Sequence, residues 1–140
     1  MSADHVTVLL LRQWYEVSRS VDRSLAQALG RLGLTESAGA ALWALAPGTP
    51  PPTMRDLART LDCDPSNASL VSAKLEQDGL VERRPHPTDG RARVLVLTEL
   101  GRELHARLVA DVAALTPLRH LDAAQQRQLS DLLATIESGG

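Results

Sequence analysis

The chain has 140 residues, of which 44% are apolar, 23% charged and 2% aromatic, and its net charge is −2. These values exclude a wholly disordered chain and indicate a core of Leu, Val and Ala. No apolar run approaches the about 20 residues of a membrane helix, and a single cysteine cannot form an internal disulfide, so we expect a cytoplasmic protein. The net charge gives no sign of a nucleic-acid partner, but DNA responds to local patches of charge.

The first predicted element is a long helix from Val6 to Leu32. Its apolar residues recur at steps of three and four. They are Leu10, Trp14, Val17, Val21, Leu25, Leu29 and Leu32. Such a helix is long for a chain of this size, so we expect a partner chain to cover part of this face. Gly33 ends the helix, and Thr35 is the expected N-cap of the next one.

Two shorter helices are predicted after the proline-rich segment 47–52. Thr53 and Asp56 have the spacing of a capping box at the start of the first. Asp64 is the expected N-cap of the second, and Pro65 its first residue. The inner face of this second helix holds Ala68, Val71, Ser72 and Leu75. The outer face holds Ser66, Asn67, Ser69, Leu70, Ala73 and Lys74.

A β-hairpin is predicted next, from the β-prone segments Leu80–Arg84 and Arg91–Leu97 and the Asp-Gly pair between them. Residues 83–93 contain four arginines and one aspartate, which gives a net charge of +3. Residues 53–82 contain three basic and six acidic side chains, a net charge of −3. We therefore expect the hairpin to supply much of any affinity for a phosphate backbone.

Two helices complete the chain. Thr98 is the expected cap of a long helix that Pro117 ends, and Asp122 with Gln125 forms a second capping box. The final helix is expected to bury Leu129, Leu132, Leu133 and Ile136.

This order of elements is that of a winged helix-turn-helix. We predict a mostly α (α+β) fold in a single domain, 1–140. The winged-helix DNA-binding core occupies 33–97, and long N- and C-terminal helices occupy 1–32 and 98–140. In this fold the second helix of the core can lie in the major groove of DNA while the hairpin, or wing, reaches a neighbouring groove.

Four segments resemble the MarR (multiple-antibiotic-resistance regulator) family. They are Asp64-Pro65-Ser66-Asn67, Lys74 to Arg83, Asp89-Gly90-Arg91, and Leu97-Thr98-Glu99-Leu100-Gly101. The Leu-Glu-x-x-Gly-Leu-Val-x-Arg run is common to several winged-helix families, whereas Asp-x-Arg followed by Leu-Thr-x-x-Gly is more specific. The order of elements matches over essentially the whole chain. The resemblance implies a homodimeric transcription regulator, a ligand-released repressor, that binds a pseudo-palindromic operator on double-stranded DNA. It also implies that the long N- and C-terminal helices, in 1–32 and 98–140, are dimerisation helices.

The resemblance also implies the DNA-binding residues. These are Ser66, Asn67, Ser69, Leu70, Lys74, Arg84, Asp89, Arg91 and Arg93. Arg91 would enter the minor groove, positioned by Asp89. The alternatives are a surface ion pair that only braces the hairpin and, for the serines and Asn67, helix capping. Leu70 departs from the family, since many members have a basic or very small residue there; a leucine can touch a thymine methyl or only cover backbone.

An effector site is a further implication of the family, which binds small aromatic or phenolic compounds. Trp14, Tyr15 and Trp43 are its candidate lining residues, with a core role as the alternative for Trp14. Cys63 is expected to be an inert structural thiol, because the two neighbouring aspartates disfavour its thiolate.

We predict no enzymatic activity, no metal and no cofactor. The four histidines, at positions 5, 86, 105 and 120, lack ligand spacing, and the chain has no phosphate loop, nucleophile elbow or His-Glu-x-x-His motif. Two alternatives remain open: a winged helix that binds another protein, and an enzyme or ligand carrier with the same fold. The wing's charge disfavours the first, and no catalytic pair supports the second.

Overall fold

The computed structural model describes residues 2–140, which contain six α-helices, one short 3-10 helix and a two-stranded antiparallel sheet. The elements are α1 (Ala3–Leu32), α2 (Glu36–Ala44), α3 (Met54–Thr60), α4 (Pro65–Gln77), β1 (Val81–Pro85), β2 (Arg93–Leu97), α5 (Glu99–Leu115), the 3-10 helix (Pro117–His120) and α6 (Ala123–Ser138). This order confirms the predicted mostly α winged-helix fold. None of the described helices is both long and apolar enough to cross a membrane.

The chain forms two compact units. The terminal unit consists of the chain up to Gln27 together with Asp111–Gly140, and the winged unit consists of Ala28–Ala110. The predicted DNA-binding core, 33–97, lies within the winged unit.

Local sequence determines where the helices begin. Thr35 accepts an N–H of the first turn of α2, as predicted. The capping boxes at the starts of α3 and α6 both form, each with two reciprocal bonds of 2.9–3.1 Å. In the first of them the backbone N–H of Thr53 donates to the carboxylate of Asp56, which lowers the pKa of that carboxyl below its ordinary value.

Three elements differ from the sequence prediction at their boundaries. Helix α1 begins earlier, at Ala3, strand β1 is shifted by one residue to Val81–Pro85, and strand β2 begins later, at Arg93 rather than Arg91. The late start of β2 has a local cause: the N–H of Ala92 donates to the carbonyl oxygen of Asp89 at 3.1 Å. Residues 91 and 92 therefore belong to the turn at the wing tip.

The core of the winged unit is built from aliphatic side chains of every element. Its most deeply buried members are Leu42, Leu57, Leu75, Val81, Leu95 and Leu108. The inner face of α4 is placed as predicted, with Ala68, Ser72 and Leu75 buried and Val71 half-buried.

The segment before α3 extends the sheet along the free side of β2. The N–H of Leu95 donates to the carbonyl oxygen of Pro52 at 3.0 Å, and Thr53 forms a bridge with Val94. The end of the proline-rich segment thus pairs with β2 over two residues.

A tight joint connects α4, the wing and α5. The hydroxyl of Thr98 donates to the carbonyl oxygen of Gly79 at 2.6 Å and accepts the N–H of Gly101 at 3.1 Å. The backbone of Gly101 lies so close to Leu80 that an added Cβ would overlap the Leu80 carbonyl oxygen. Glycine is therefore required at position 101 by contact with backbone, which cannot easily move.

The terminal unit leaves much of its apolar surface uncovered within one chain. Leu132 and Ile136 of α6 are 63% and 66% exposed, so the prediction that α6 buries them is wrong for the single chain. Leu129 and Leu133 are half-buried. Trp14 is 51% exposed, which also contradicts a core role for it within one chain.

The close approach of Gly101 to Leu80 predicts that two glycine-to-alanine substitutions in the winged unit have opposite effects on the free energy of unfolding. Gly101→Ala forces a Cβ against backbone and should destabilise the fold by about 1–3 kcal/mol. Gly30→Ala is the matched control, because a Cβ there meets nothing within 4 Å and α1 gains helix propensity. It should stabilise by about 0.5–1 kcal/mol. Urea unfolding of both variants measures the difference, and equal stabilities would contradict the close approach at Gly101.

Candidate nucleic-acid interface

The outer face of α4 presents small polar groups to solvent. Its exposed residues are Ser66, Asn67, Ser69, Leu70, Ala73 and Lys74. The side chains of Ser66, Asn67 and Ser69 bond to no other described residue, so their hydroxyl and amide groups are available to an external partner. Leu70 is 69% exposed and forms an apolar centre on this face.

The N-terminus of α4 is capped by Asp64, as predicted from sequence. Its carboxylate accepts the N–H of Asn67 at 2.8 Å, and its carbonyl accepts that of Ala68 at 3.1 Å. Ser66 is therefore not the cap. Because Asp64 already places a negative charge here, the helix end attracts phosphate less than the helix dipole alone would.

Arg83 attaches the wing to α4. Its guanidinium donates to the hydroxyl of the fully buried Ser72 at 3.3 Å and pairs with the carboxylate of Glu76 at 3.3 Å. One of the four wing arginines therefore has a structural role inside the winged unit. The sequence analysis did not identify this role, because β1 and α4 are brought together only by the fold.

Two of the predicted DNA-binding cations have carboxylate partners on their own elements. Lys74 pairs with Asp78 one turn later on α4 at 3.2 Å, and Arg84 pairs with Glu82 on β1. All four side chains are largely solvent-exposed, so these pairs are screened and readily exchanged.

The wing tip is folded by a chain of local hydrogen bonds. The carboxylate of Asp89 accepts the backbone N–H of Arg91 at 3.1 Å, and the imidazole Nδ1 of His86 accepts the backbone N–H groups of Thr88 and Asp89, each at 3.1 Å. Asp89 thus orients Arg91 through the main chain, and no side-chain ion pair joins the two among the described residues.

Arg91 and Arg93 are the uncompensated cations of the wing. Both are exposed, and within residues 2–140 neither guanidinium has a carboxylate partner. They lie at the tip and at the first residue of β2, respectively. The predicted DNA-binding residues therefore form two groups, the outer face of α4 and the tip of the wing, both within the winged unit.

The three candidate effector residues do not belong to one compact unit. Trp14 lines an apolar groove of about 560 Å³ formed in the terminal unit by α1, the 3-10 helix and α6. Tyr15 is not among the lining residues, and its ring instead lies 5.7 Å from the guanidinium carbon of Arg19. Trp43 belongs to α2 of the winged unit.

Cys63 is half-buried beside α4. It lines a cavity of about 360 Å³ together with Asn67, Leu70 and Val71 of that helix. No group of three or more His, Cys, Asp or Glu side chains in the part of the chain that the structure describes could hold a metal ion.

Comparison with known proteins gives a consistent result. Residues 34–92 match the sequence model of the MarR family. No curated protein matches the chain by sequence.

Among solved structures, the chain is similar to Sco3205, a MarR family transcriptional regulator from Streptomyces coelicolor in complex with DNA, with 26% identity over 99% of this chain and 92% of that one and a TM-score of 0.69. A MarR family regulator from Rhodococcus sp. RHA1 is 28% identical, covers 97% and 94% of the two chains and has a TM-score of 0.67. AbsC, a MarR family regulator from Streptomyces coelicolor, is 25% identical over 99% and 95%, with a TM-score of 0.69.

Proposed function

We propose that this chain, whose residues 34–92 match the sequence model of the MarR family, is a transcription regulator of that family. On that premise we propose that it binds a pseudo-palindromic duplex operator as a homodimer and represses transcription until a small ligand releases it. The chemistry of the winged unit supports DNA binding: an exposed polar helix face lies next to a wing with two uncompensated arginines. Sco3205, which is similar over nearly its whole length, was solved with DNA.

The charges of the two regions indicate which residues contact bases and which contact the DNA backbone. The helices α3 and α4 lie in a region with a net charge of −3, which repels phosphates, whereas the wing region carries +3. We propose that Ser66, Asn67, Ser69 and Leu70 read bases in the major groove and that Arg91 and Arg93 supply the phosphate and minor-groove contacts.

The first test is selection of the purified protein against a random pool of duplex DNA, followed by anisotropy titrations at several salt concentrations. We expect an enriched inverted repeat with half-sites about one helical turn apart and an affinity that falls steeply with salt. Absence of enrichment, with weak binding even at low salt, would favour the alternative in which the winged unit binds a protein.

Dimerisation is supported by the uncovered surface of the terminal unit. Among the described residues of this unit, ten large apolar side chains are exposed, eight along the first half of α1 and two on α6. They are Val6, Val8, Leu9, Leu10, Leu11, Trp14, Tyr15, Val17, Leu132 and Ile136. Exposed apolar area of this extent is typical of an interface, and we propose that a second copy covers it.

Release by a small aromatic or phenolic ligand stays a prediction from the family. Trp14 is the candidate residue that lines the apolar groove of the terminal unit, and Tyr15 and Trp43 are not needed for that groove.

Replacing Arg91 tests the role of the wing. Arg91→Ala should weaken binding to the selected duplex by about 1–3 kcal/mol, because it removes an uncompensated cation from the wing tip. Arg107→Ala removes the same charge from an exposed position on α5 and should leave the affinity nearly unchanged. Equal losses of DNA affinity in both variants would mean that the affinity depends only on the total charge of the protein.

Replacing Glu82 should strengthen binding. Glu82→Gln frees Arg84 from its intramolecular partner, so affinity should rise a few-fold and the salt slope should steepen by up to about one unit. The control is Glu103→Gln, an equal change of charge on α5, where the side chain is exposed and forms no ion pair with a described residue. If the two variants bind alike, the pair with Arg84 does not restrain DNA binding.

Charges on α6 test the dimer. The double variant Leu132→Asp, Ile136→Asp should sediment as a folded monomer, because two carboxylates would have to be buried at the interface. Leu70→Asp is matched in exposure but lies on the winged unit, and it should remain dimeric while losing DNA affinity. A double variant that remains dimeric would exclude α6 from the interface.

A further inference from the structure

His86 lies at the wing tip, but it is not one of the predicted DNA-binding residues. Its imidazole instead bonds to the backbone of the turn. His86 lies between two prolines, and Pro87 has no N–H, so the first backbone donors beyond the ring are those of Thr88 and Asp89. Both donate to Nδ1 at 3.1 Å, and the hydroxyl of Thr88 lies 3.3 Å from the same atom.

These contacts fix the chemical form of the ring. A backbone N–H can only donate, so Nδ1 must be an acceptor, and the ring is neutral with its hydrogen on Nε2. In this form the histidine does what Asn or Asp does in a turn, where a side-chain acceptor binds the N–H groups that follow it.

The turn held by the ring is the one that orients Arg91. Asp89 receives one bond from Arg91 through its carboxylate and one from Ala92 through its carbonyl, both at 3.1 Å. The N–H of His86 closes the loop by donating to the carbonyl oxygen of Ala92 at 3.0 Å. Loss of the acceptor at Nδ1 therefore loosens the residue on which Arg91 depends.

We propose that the neutral imidazole of His86 is a positioning group for DNA binding, which holds the wing tip through Nδ1 and releases it when the ring is protonated. A protonated Nδ1 carries a hydrogen that faces two donors, so the bonds to Thr88 and Asp89 are lost. Acidification that protonates the ring should therefore weaken binding of DNA. This inference rests on the proposed DNA-binding function.

The charged groups of the hairpin do not bond to this ring. Arg84 of β1 is paired with Glu82, and the carboxylate of Asp89 is occupied by the N–H of Arg91. Arg83 of β1 is paired with Glu76 of α4, and Arg91 and Arg93 complete the set. Across residues 2–140 none of these side chains has a hydrogen bond or ion pair with the imidazole.

The test uses the full chain and the duplex obtained by selection, titrated at about pH 7.5 and about pH 5.5. His86→Asn keeps an acceptor that does not titrate, so its affinity should be within about twofold of the parent at the higher pH and should not fall with acidification. His86→Ala removes the acceptor and should lose about three- to tenfold at the higher pH, the worth of one or two hydrogen bonds. The parent should fall to the alanine level at the lower pH.

His120→Asn controls for other histidines and should keep the parent's pH profile. The same fall in affinity on acidification in His86→Asn as in the parent, or full affinity in His86→Ala, would overturn the proposal.

A second measurement does not depend on DNA. In proton–nitrogen spectra of the free protein, the amide signals of Thr88 and Asp89 should titrate in the parent together with the His86 ring, and should not titrate in His86→Asn. Titration of these amides without a change in DNA affinity would refute the link to binding. Failure of the selection itself, with the amides titrating as expected, would count against the proposed function and leave the wing-tip geometry intact.

Discussion

The close contact between Gly101 and the carbonyl of Leu80 is the constraint on which the winged unit depends. It allows the hydroxyl of Thr98 to bridge the end of α4, at Gly79, and the first turn of α5. Strand β1 of the wing begins at Val81, the residue after Leu80. The direction of α4 and the origin of the wing are thus set by one joint, and the two candidate DNA-binding groups inherit their spacing from it.

Much of this fold follows from local sequence. The caps at Thr35, Thr53, Asp64 and Asp122 form where side-chain oxygens precede helical periodicity, because each satisfies backbone donors within its own turn. The errors in predicted burial arise where the controlling contact is not local. Apolar periodicity in α6 predicts a buried face, but it does not tell whether the covering surface belongs to the same chain.

The candidate site was predictable in its composition but not in its electrostatics. Counting charges gives the wing +3, yet Arg83 is used to hold α4 and Arg84 is paired with Glu82. The folded structure is needed to distinguish these two paired arginines from Arg91 and Arg93, which have no carboxylate partner among the described residues. The sequence could not show this for Arg83, because its partner is on another element. The role of His86 has a sequence signal in hindsight: a side-chain acceptor between two prolines, followed by free backbone donors.

The proline-rich segment beside β2 has a consequence for solubility. An exposed sheet edge offers a row of free N–H and carbonyl groups to which a strand of another molecule can add. Here the segment that pairs with β2 at Pro52 and Thr53 is preceded by Pro50 and Pro51, and none of these three prolines has an N–H to donate. The sheet is therefore flanked on that side by a segment poor in free N–H donors, which disfavours intermolecular β-pairing in a protein whose terminal helices are themselves so apolar.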